Sequence, residues 1–181
     1  MAEFRLETGR LALRGWCDSD IAPFHAMCSD PRVMEFLGPP LSHEETAAAV
    51  SRMQHLQDTI GRCFWAIERQ EDGGFIGFCG LKPGPVGTPI EGCTEIGWRL
   101  AHHAWGHGYA HEAARAALGW GFADRPDDAI WAITVPANRR SWGLMERLGM
   151  RRHADLDFDH PALSADDPLR RHITYSIRCL P

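Results

Sequence analysis

No Cys-x-x-Cys pair occurs among the six cysteines, Cys17, Cys28, Cys63, Cys79, Cys93 and Cys179, and several of them lie inside apolar, strand-like runs. Reduced, buried thiols are expected, rather than a zinc site or a disulfide framework. No apolar run is long enough to span a bilayer, and the N-terminus, MAEFRLETGRLALR, lacks both the apolar core and the cleavage pattern of a signal peptide. A cytoplasmic protein with no membrane partner is expected. Positive charge is also short: 19 Lys+Arg stand against 24 Asp+Glu, a formal net charge of -5. That balance gives no electrostatic reason to expect nucleic acid. Lysine is nearly absent, since 18 of the 19 basic residues are arginine, whose planar fork suits a bidentate grip on carboxylate or phosphate.

Several ligand motifs are missing as well. There is no Gly-x-x-x-x-Gly-Lys-Ser/Thr, and Gly106-His107-Gly108 has no third glycine, because Ala110 and His111 follow Tyr109. A P-loop and a dinucleotide fold are thereby excluded. Asp155-x-Asp157-x-Asp159 starts like a calcium loop, but His160 stands where glycine is required and Pro161 follows. His111-Glu112 is followed by Arg115 where a zinc motif needs its second histidine. No metal is expected.

What is present is organised around residues 94–122, TEIGWRLAHHAWGHGYAHEAARAALGWGF. From Glu95 to Leu100 the side chains alternate, with Ile96, Trp98 and Leu100 on one face and Glu95, Gly97 and Arg99 on the other, as in a half-buried strand. Gly106 and Gly108 then strip side chains from a turn, and Tyr109, Ala113, Ala116, Ala117 and Trp120 recur at helical spacing, so a helix is predicted from near His107. A glycine-rich turn feeding a helix presents unpaired N–H groups and the positive end of the helix dipole, which suits a phosphate or pyrophosphate. A plain strand-to-helix turn that needs small residues is the competing reading.

At 181 residues, 44% hydrophobic and 24% charged, the chain suits one domain. Strands are predicted at 10–16, 64–69, 75–81, 129–135, 151–158 and 171–179 besides the central one. Helices are predicted at 21–28, from a Ser42/Glu45 capping box to about 59, and from about 139 to 148, where Gly149 ends the last of them; 33–37 is a short apolar segment. Asp72-Gly73 should make a hairpin of the strands on either side, and the Gly/Pro-rich stretch 83–92 is an exposed loop. The order of elements implies an α/β or α+β class, a mixed sheet with helices on both faces. Asn138 and Ser141 stand where a strand ends and a helix starts. Asn138 can be an N-cap and Ser141 a first-turn hydroxyl, or both can face a ligand at the carboxyl end of the sheet.

The run His103-Ala104-Trp105-Gly106-His107-Gly108-Tyr109-Ala110 followed by Glu112-Ala113, then Asn138-x-x-Ser141 and Leu148-Gly149-Met150, resembles the GNAT superfamily of acyl-CoA-dependent N-acyltransferases. More narrowly it resembles the branch that includes the Rim-type acetyltransferases of ribosomal protein N-termini. Thr8-Gly9-Arg10-Leu11, Val33-Met34-Glu35-Phe36-Leu37 and Ile76-Gly77 extend the resemblance over almost the whole chain. It implies a mostly antiparallel sheet of six to seven strands with a splayed parallel pair. It also implies acetyl-CoA as cosubstrate, and acetyl transfer to a primary amine of a small molecule or a protein N-terminus through a ternary complex, with a homodimer plausible. The competing function is a non-catalytic acyl-CoA-binding module that regulates a partner.

Within that resemblance the coenzyme A pyrophosphate would be held by N–H groups of Trp105, Gly106, His107, Gly108, Tyr109 and Ala110. Pantetheine would lie along the backbone of Trp98, Arg99 and Leu100, with Asn138 in contact. His103 stands where the family usually has Gln or Arg. Neither Tyr109 nor Tyr175 matches the tyrosine that often protonates the leaving thiolate; Ser141 stands where the Rim-type branch has a serine, and the resemblance makes it the candidate acid. Glu95 is the candidate base, against the alternative of a surface salt bridge between Glu95 and Arg99. Asp157, Asp159 and His160 are expected either to line the acceptor pocket, where acidic groups would draw a cationic amine, or to form a solvated loop.

Overall fold

The computed structural model describes residues 4–125 and 129–179. Its elements run β1 (Arg5–Glu7), β2 (Leu11–Arg14), α1 (Ile21–Cys28), α2 (Pro31–Met34), α3 (His43–Ile60), β3 (Phe64–Arg69), β4 (Gly74–Pro83), β5 (Thr94–Leu100) and α4 (Tyr109–Asp124). Then follow β6 (Ile130–Thr134), α5 (Arg139–Arg147), β7 (Arg151–Arg152), β8 (Phe158–Asp159) and β9 (Arg171–Ile177). The strands form one sheet in the order β1-β2-β3-β4-β5-β6-β9-β7, with β8 also paired to β9. Every neighbouring pair is antiparallel except β5 and β6.

That parallel pair organises the molecule. β5 stays in register with β4 from Thr94 to Leu100, but it meets β6 only at Thr94↔Ile130 and Glu95↔Trp131. Beyond Glu95 the two strands diverge, leaving one edge of β5 unpaired.

Local chemistry fixes the element ends. The Ser42 hydroxyl accepts from the Glu45 N–H at 3.1 Å while the Glu45 carboxylate accepts from the Ser42 N–H at 2.7 Å, closing the capping box of α3. At the end of α5 the Met150 N–H reaches the Met145 carbonyl and the Gly149 N–H that of Glu146, the two bonds of a Schellman cap. α4 packs on one sheet face, where Trp120 meets the fully buried Trp65 edge-on. On the opposite face Phe24 of α1 packs against Trp16, Phe75 and Phe78.

Two predicted elements differ in detail, and one further element precedes them. The helix starts at Tyr109 rather than His107, because Gly108 takes the N-cap position in the left-handed region. A three-residue edge strand, β1, pairs with β2 ahead of the first predicted strand. The predicted strand 151–158 is broken: β7 pairs with Ser176 and Tyr175, and β8 with His172 and Arg171. Five residues, 153–157, must therefore pass opposite the two positions Ile173 and Thr174. They fold into a 3-10 turn at Ala154–Leu156, tied down by the Thr174 hydroxyl donating to the Leu156 carbonyl at 2.8 Å.

Candidate functional site

The divergence of β5 from β6 opens a cleft of about 850 Å³, bounded by β5, the turn before α4, and the start of α5. Its lining includes Trp98, Arg99, Leu100, Trp105, Gly106, Gly108, Tyr109, Ala110, Asn138 and Ser141, together with Glu95. His103 and His107 are exposed and lie outside it.

The turn is a cradle of donors. Gly106 and Gly108 have φ of 82° and 79°, a conformation that L side chains rarely adopt. Among the described residues, the N–H groups of residues 106–111 have no acceptor in the chain, and α4 has no side-chain cap. With the helix dipole behind them, these unpaired donors are a place where an anion could be held. Arg139, Arg140 and Arg147 line the facing side, and a shallower hollow of about 630 Å³, with Arg10 and Arg115 in its lining, adjoins the turn.

The turn is held in place by residues nearly a hundred positions upstream. Arg10 Nη1 donates to the His107 carbonyl at 3.0 Å, Nη2 sits 2.6 Å from the Glu112 carboxylate, and the guanidinium covers the Tyr109 ring at 4.6 Å. The Thr8 hydroxyl donates to Glu112 at 2.6 Å. Burial alone would raise the Glu112 carboxyl, but the bonds from Thr8 and Arg10 outweigh it and hold the group below its ordinary value. Arg10 was not among the predicted site residues. Its signal was present in Thr8-Gly9-Arg10-Leu11, whose purpose only the fold reveals.

Across the cleft, the Asn138 side-chain oxygen Oδ1 accepts from the Ser141 N–H at 3.2 Å, so Asn138 is the N-cap of α5 and its side-chain NH2 remains available. The Ser141 hydroxyl makes no hydrogen bond within the described residues. Trp105 ties the turn to the strand, its indole N–H donating to the Leu100 carbonyl at 2.8 Å, and Arg140 lies over its ring at 4.8 Å. The Leu100 carbonyl thus points toward the cleft. Strand alternation turns the Trp98 N–H and carbonyl the same way, along the edge that β6 leaves unpaired.

Glu95 occupies the last register position before the strands part and is only 8% exposed. Its partner is Lys82, directly opposite on β4, and not Arg99 as the salt-bridge alternative would have it. Burial pushes the Glu95 carboxyl up, against the opposing pull of Lys82. The Lys82 ammonium also lies 5.0 Å from the centre of the Phe64 ring. Asp157, Asp159 and His160 do not come to the cleft. Asp157 is paired with Arg152 at 2.6 Å, and Asp159 lies 3.3 Å from Arg171, both outside the lining. Their negative charge is matched locally and leaves nothing to draw an amine into this site. Tyr175 also lies outside the lining, its hydroxyl 3.4 Å from Glu146. Among the described residues no cluster of His, Cys, Asp or Glu could hold a metal, and no helix is long and apolar enough to cross a membrane.

Comparison with known proteins agrees with this architecture. The model of the acetyltransferase (GNAT) domain family matches residues 10–151. The uncharacterized protein YkkB of Bacillus subtilis is 36% identical over 152 residues, 82% of this chain and 86% of its own length. The uncharacterized N-acetyltransferase YnaD of the same organism is 32% identical, covering 81% and 82%. Among solved structures, the acetyltransferase from Agrobacterium tumefaciens superposes with a TM-score of 0.77 at 27% identity, covering 98% of this chain and 96% of that one. RimL, an alpha-N-protein acetyltransferase solved in complex with coenzyme A, shares the fold with a TM-score of 0.75 at 17% identity, covering 97% and 98%.

Proposed function

Because the chain belongs to the GNAT family of acetyltransferases, we propose that it carries the acetyl group of acetyl-CoA directly to a primary amine, with both substrates bound at once in the cleft. The observation that carries this reading is a coincidence of three features at one opening. The donor cradle at residues 106–111, the unpaired edge of β5 at Trp98 and the unbonded Ser141 hydroxyl all face the space where β5 leaves β6. The coenzyme A complex of RimL supports the same cosubstrate here. The motifs Thr8-Gly9-Arg10-Leu11 and Asn138-x-x-Ser141 support a place in the Rim-type branch.

Acetyl-CoA supplies the activated thioester. In the proposed arrangement the turn holds the pyrophosphate, Arg139, Arg140 and Arg147 face its negative charge, and the amide of Asn138 and the edge of Trp98 hold the arm. Glu95 takes the proton that the attacking amine must lose, directly or through one water, and burial, by raising its carboxyl above the ordinary value against the pull of Lys82, makes it a stronger base than an exposed glutamate. The Trp98 N–H stands as donor to the oxyanion. The Ser141 hydroxyl passes a proton to the departing sulfur and takes one back from solvent water in the cleft, so that the thiol leaves neutral and the serine stays a hydroxyl.

Thiol release from acetyl-CoA, followed with and without a panel of amines, tests this reading, with calorimetry of coenzyme A binding in parallel. Amine-dependent release is expected. Coenzyme A binding without release by any amine at any pH would replace it with a binding module.

A further inference from the structure

The face of β5 that carries Glu95 also carries Arg99, four residues or roughly 13 Å further along the strand. Arg99 is half-buried beneath α1 and α2, and its contacts are unusual for a cation. Nη1 lies 3.1 Å from Cys28 Sγ and 3.6 Å from Met34 Sδ, the guanidinium lies 5.4 Å from the centre of the Phe78 ring, and Nε is buried with no partner. Nη2 makes no bond within the described residues and is not among the buried orphans, which leaves it open to the cleft.

No carboxylate among the described residues pairs with Arg99. Cys28 does not supply the missing charge, because burial pushes its thiol up more than Arg99 pulls it down. Arg32, which also lines the cleft, is already held by Asp30, and Glu95, the only acidic residue among the described residues of the lining, is already held by Lys82. A guanidinium removed from water without an anion is costly unless one arrives. Between Arg99 and Glu95 the floor is apolar and flat. Phe64 and Phe78 stack with ring centres 5.5 Å apart, and Gly97 leaves room for them, since a Cβ there would stand 2.5 Å from the Phe64 ring.

Resting on the acetyl-transfer reading above, we propose that the acceptor is a small amine bearing a carboxylate, its amine delivered at Glu95 and its carboxylate bound by Arg99, with an apolar linker over Phe64 and Phe78. The position of Arg99 beneath two helices favours a small molecule over a polypeptide.

The test uses ω-amino acids of increasing chain length, each beside its own amide, as acceptors in thiol release from acetyl-CoA. For at least one length, kcat/KM is expected to favour the acid by about tenfold or more, the equivalent of ~1.4 kcal/mol. Arg99→Met should erase that preference through the KM for the acid, leaving the KM for acetyl-CoA unchanged, while Arg99→Lys keeps part of it. Hexanoate should compete with the amino acid in the unaltered protein and hexanol should not, a result that needs no variant to fold. Equal use of acid and amide at every length would overturn the proposal and leave acetyl transfer standing. So would faster turnover of a peptide with an acidic second residue. Coenzyme A binding with no release by any amine would remove both readings together.

Discussion

The two sides of the cleft are made of different material. On the side proposed for coenzyme A the cradle itself is made of backbone N–H donors from residues 106–111, with Arg139, Arg140 and Arg147 facing it across the cleft, while His103 and His107 lie outside the lining. On the β5 side the groups offered are side chains: Glu95 held by Lys82, Arg99 over Phe78, with Gly97 between them. A site made of backbone depends on conformation, so it tolerates change in any side chain that does not support the turn. A site made of side chains depends on identity, and it is where chemistry and acceptor choice can vary within one fold. Variants on the two sides should therefore separate turnover from cofactor affinity.

The largest effect expected is that of Glu95→Gln. If Glu95 is the base, kcat falls roughly 10²–10⁴-fold with little change in coenzyme A binding. The pH profile carries the sign. A base works above its pKa, and burial raises that of Glu95, so the acid limb of kcat/KM should lie above the ordinary carboxylate range and disappear in the variant. An unchanged limb would return Glu95 to the role of a buried partner for Lys82. Ser141→Ala comes next, with an expected loss of about 10²-fold in kcat, the lower end for a proton donor. Ser141 contributes only its backbone N–H to the bond with the Asn138 side chain, so that bond survives the change and coenzyme A affinity should hold. A loss in affinity without a loss in kcat would move Ser141 to the cofactor side of the comparison.

Arg10→Ala should do the reverse. It frees the His107 carbonyl and leaves the Glu112 carboxylate beside the anion cradle without its cation. Coenzyme A binding should weaken by about tenfold, ~1.4 kcal/mol, with kcat at saturation nearly unchanged. A fall in kcat at full affinity would show that the turn also positions the reacting end.

How far the sequence reveals these features depends on range. The run from β5 through the glycine turn into α4 was legible because its period changes from 2 to 3.6 across two glycines, a local signal. So were the Ser42 box, the Asp72-Gly73 hairpin and the Gly149 cap. What escaped depends on partners far apart in the chain. Lys82 meets Glu95 only through the register of β4 on β5 across a ten-residue loop, whereas Arg99, four positions away, offered the nearer match on paper. Arg10 reaches Glu112 across 102 positions. The break in strand 151–158 arises because two positions on β9 face five on the other chain segment, which no window of that segment encodes. Asp157 and Asp159 read as free acids in sequence, and only the fold supplies the arginines that occupy them.

The smallest effect belongs to the position where the sequence departs most visibly from the family resemblance. His103 stands where Gln or Arg is usual, and a side-chain contact there would give a pH-sensitive grip on phosphate. Yet His103 is exposed and outside the cleft lining, while the donors of the turn are backbone groups set by Gly106, Gly108 and the hold of Arg10. His103→Arg should therefore change coenzyme A affinity by less than about twofold, well under 1 kcal/mol, and leave its pH dependence alone. The small remaining gain should vanish at high salt, because a charge added near a phosphate through solvent is screened within about 10 Å at 0.1 M. A tightening that persists at high salt would mean that the side chain at position 103 contacts the cofactor directly, and the cradle would have to be redrawn to include this residue.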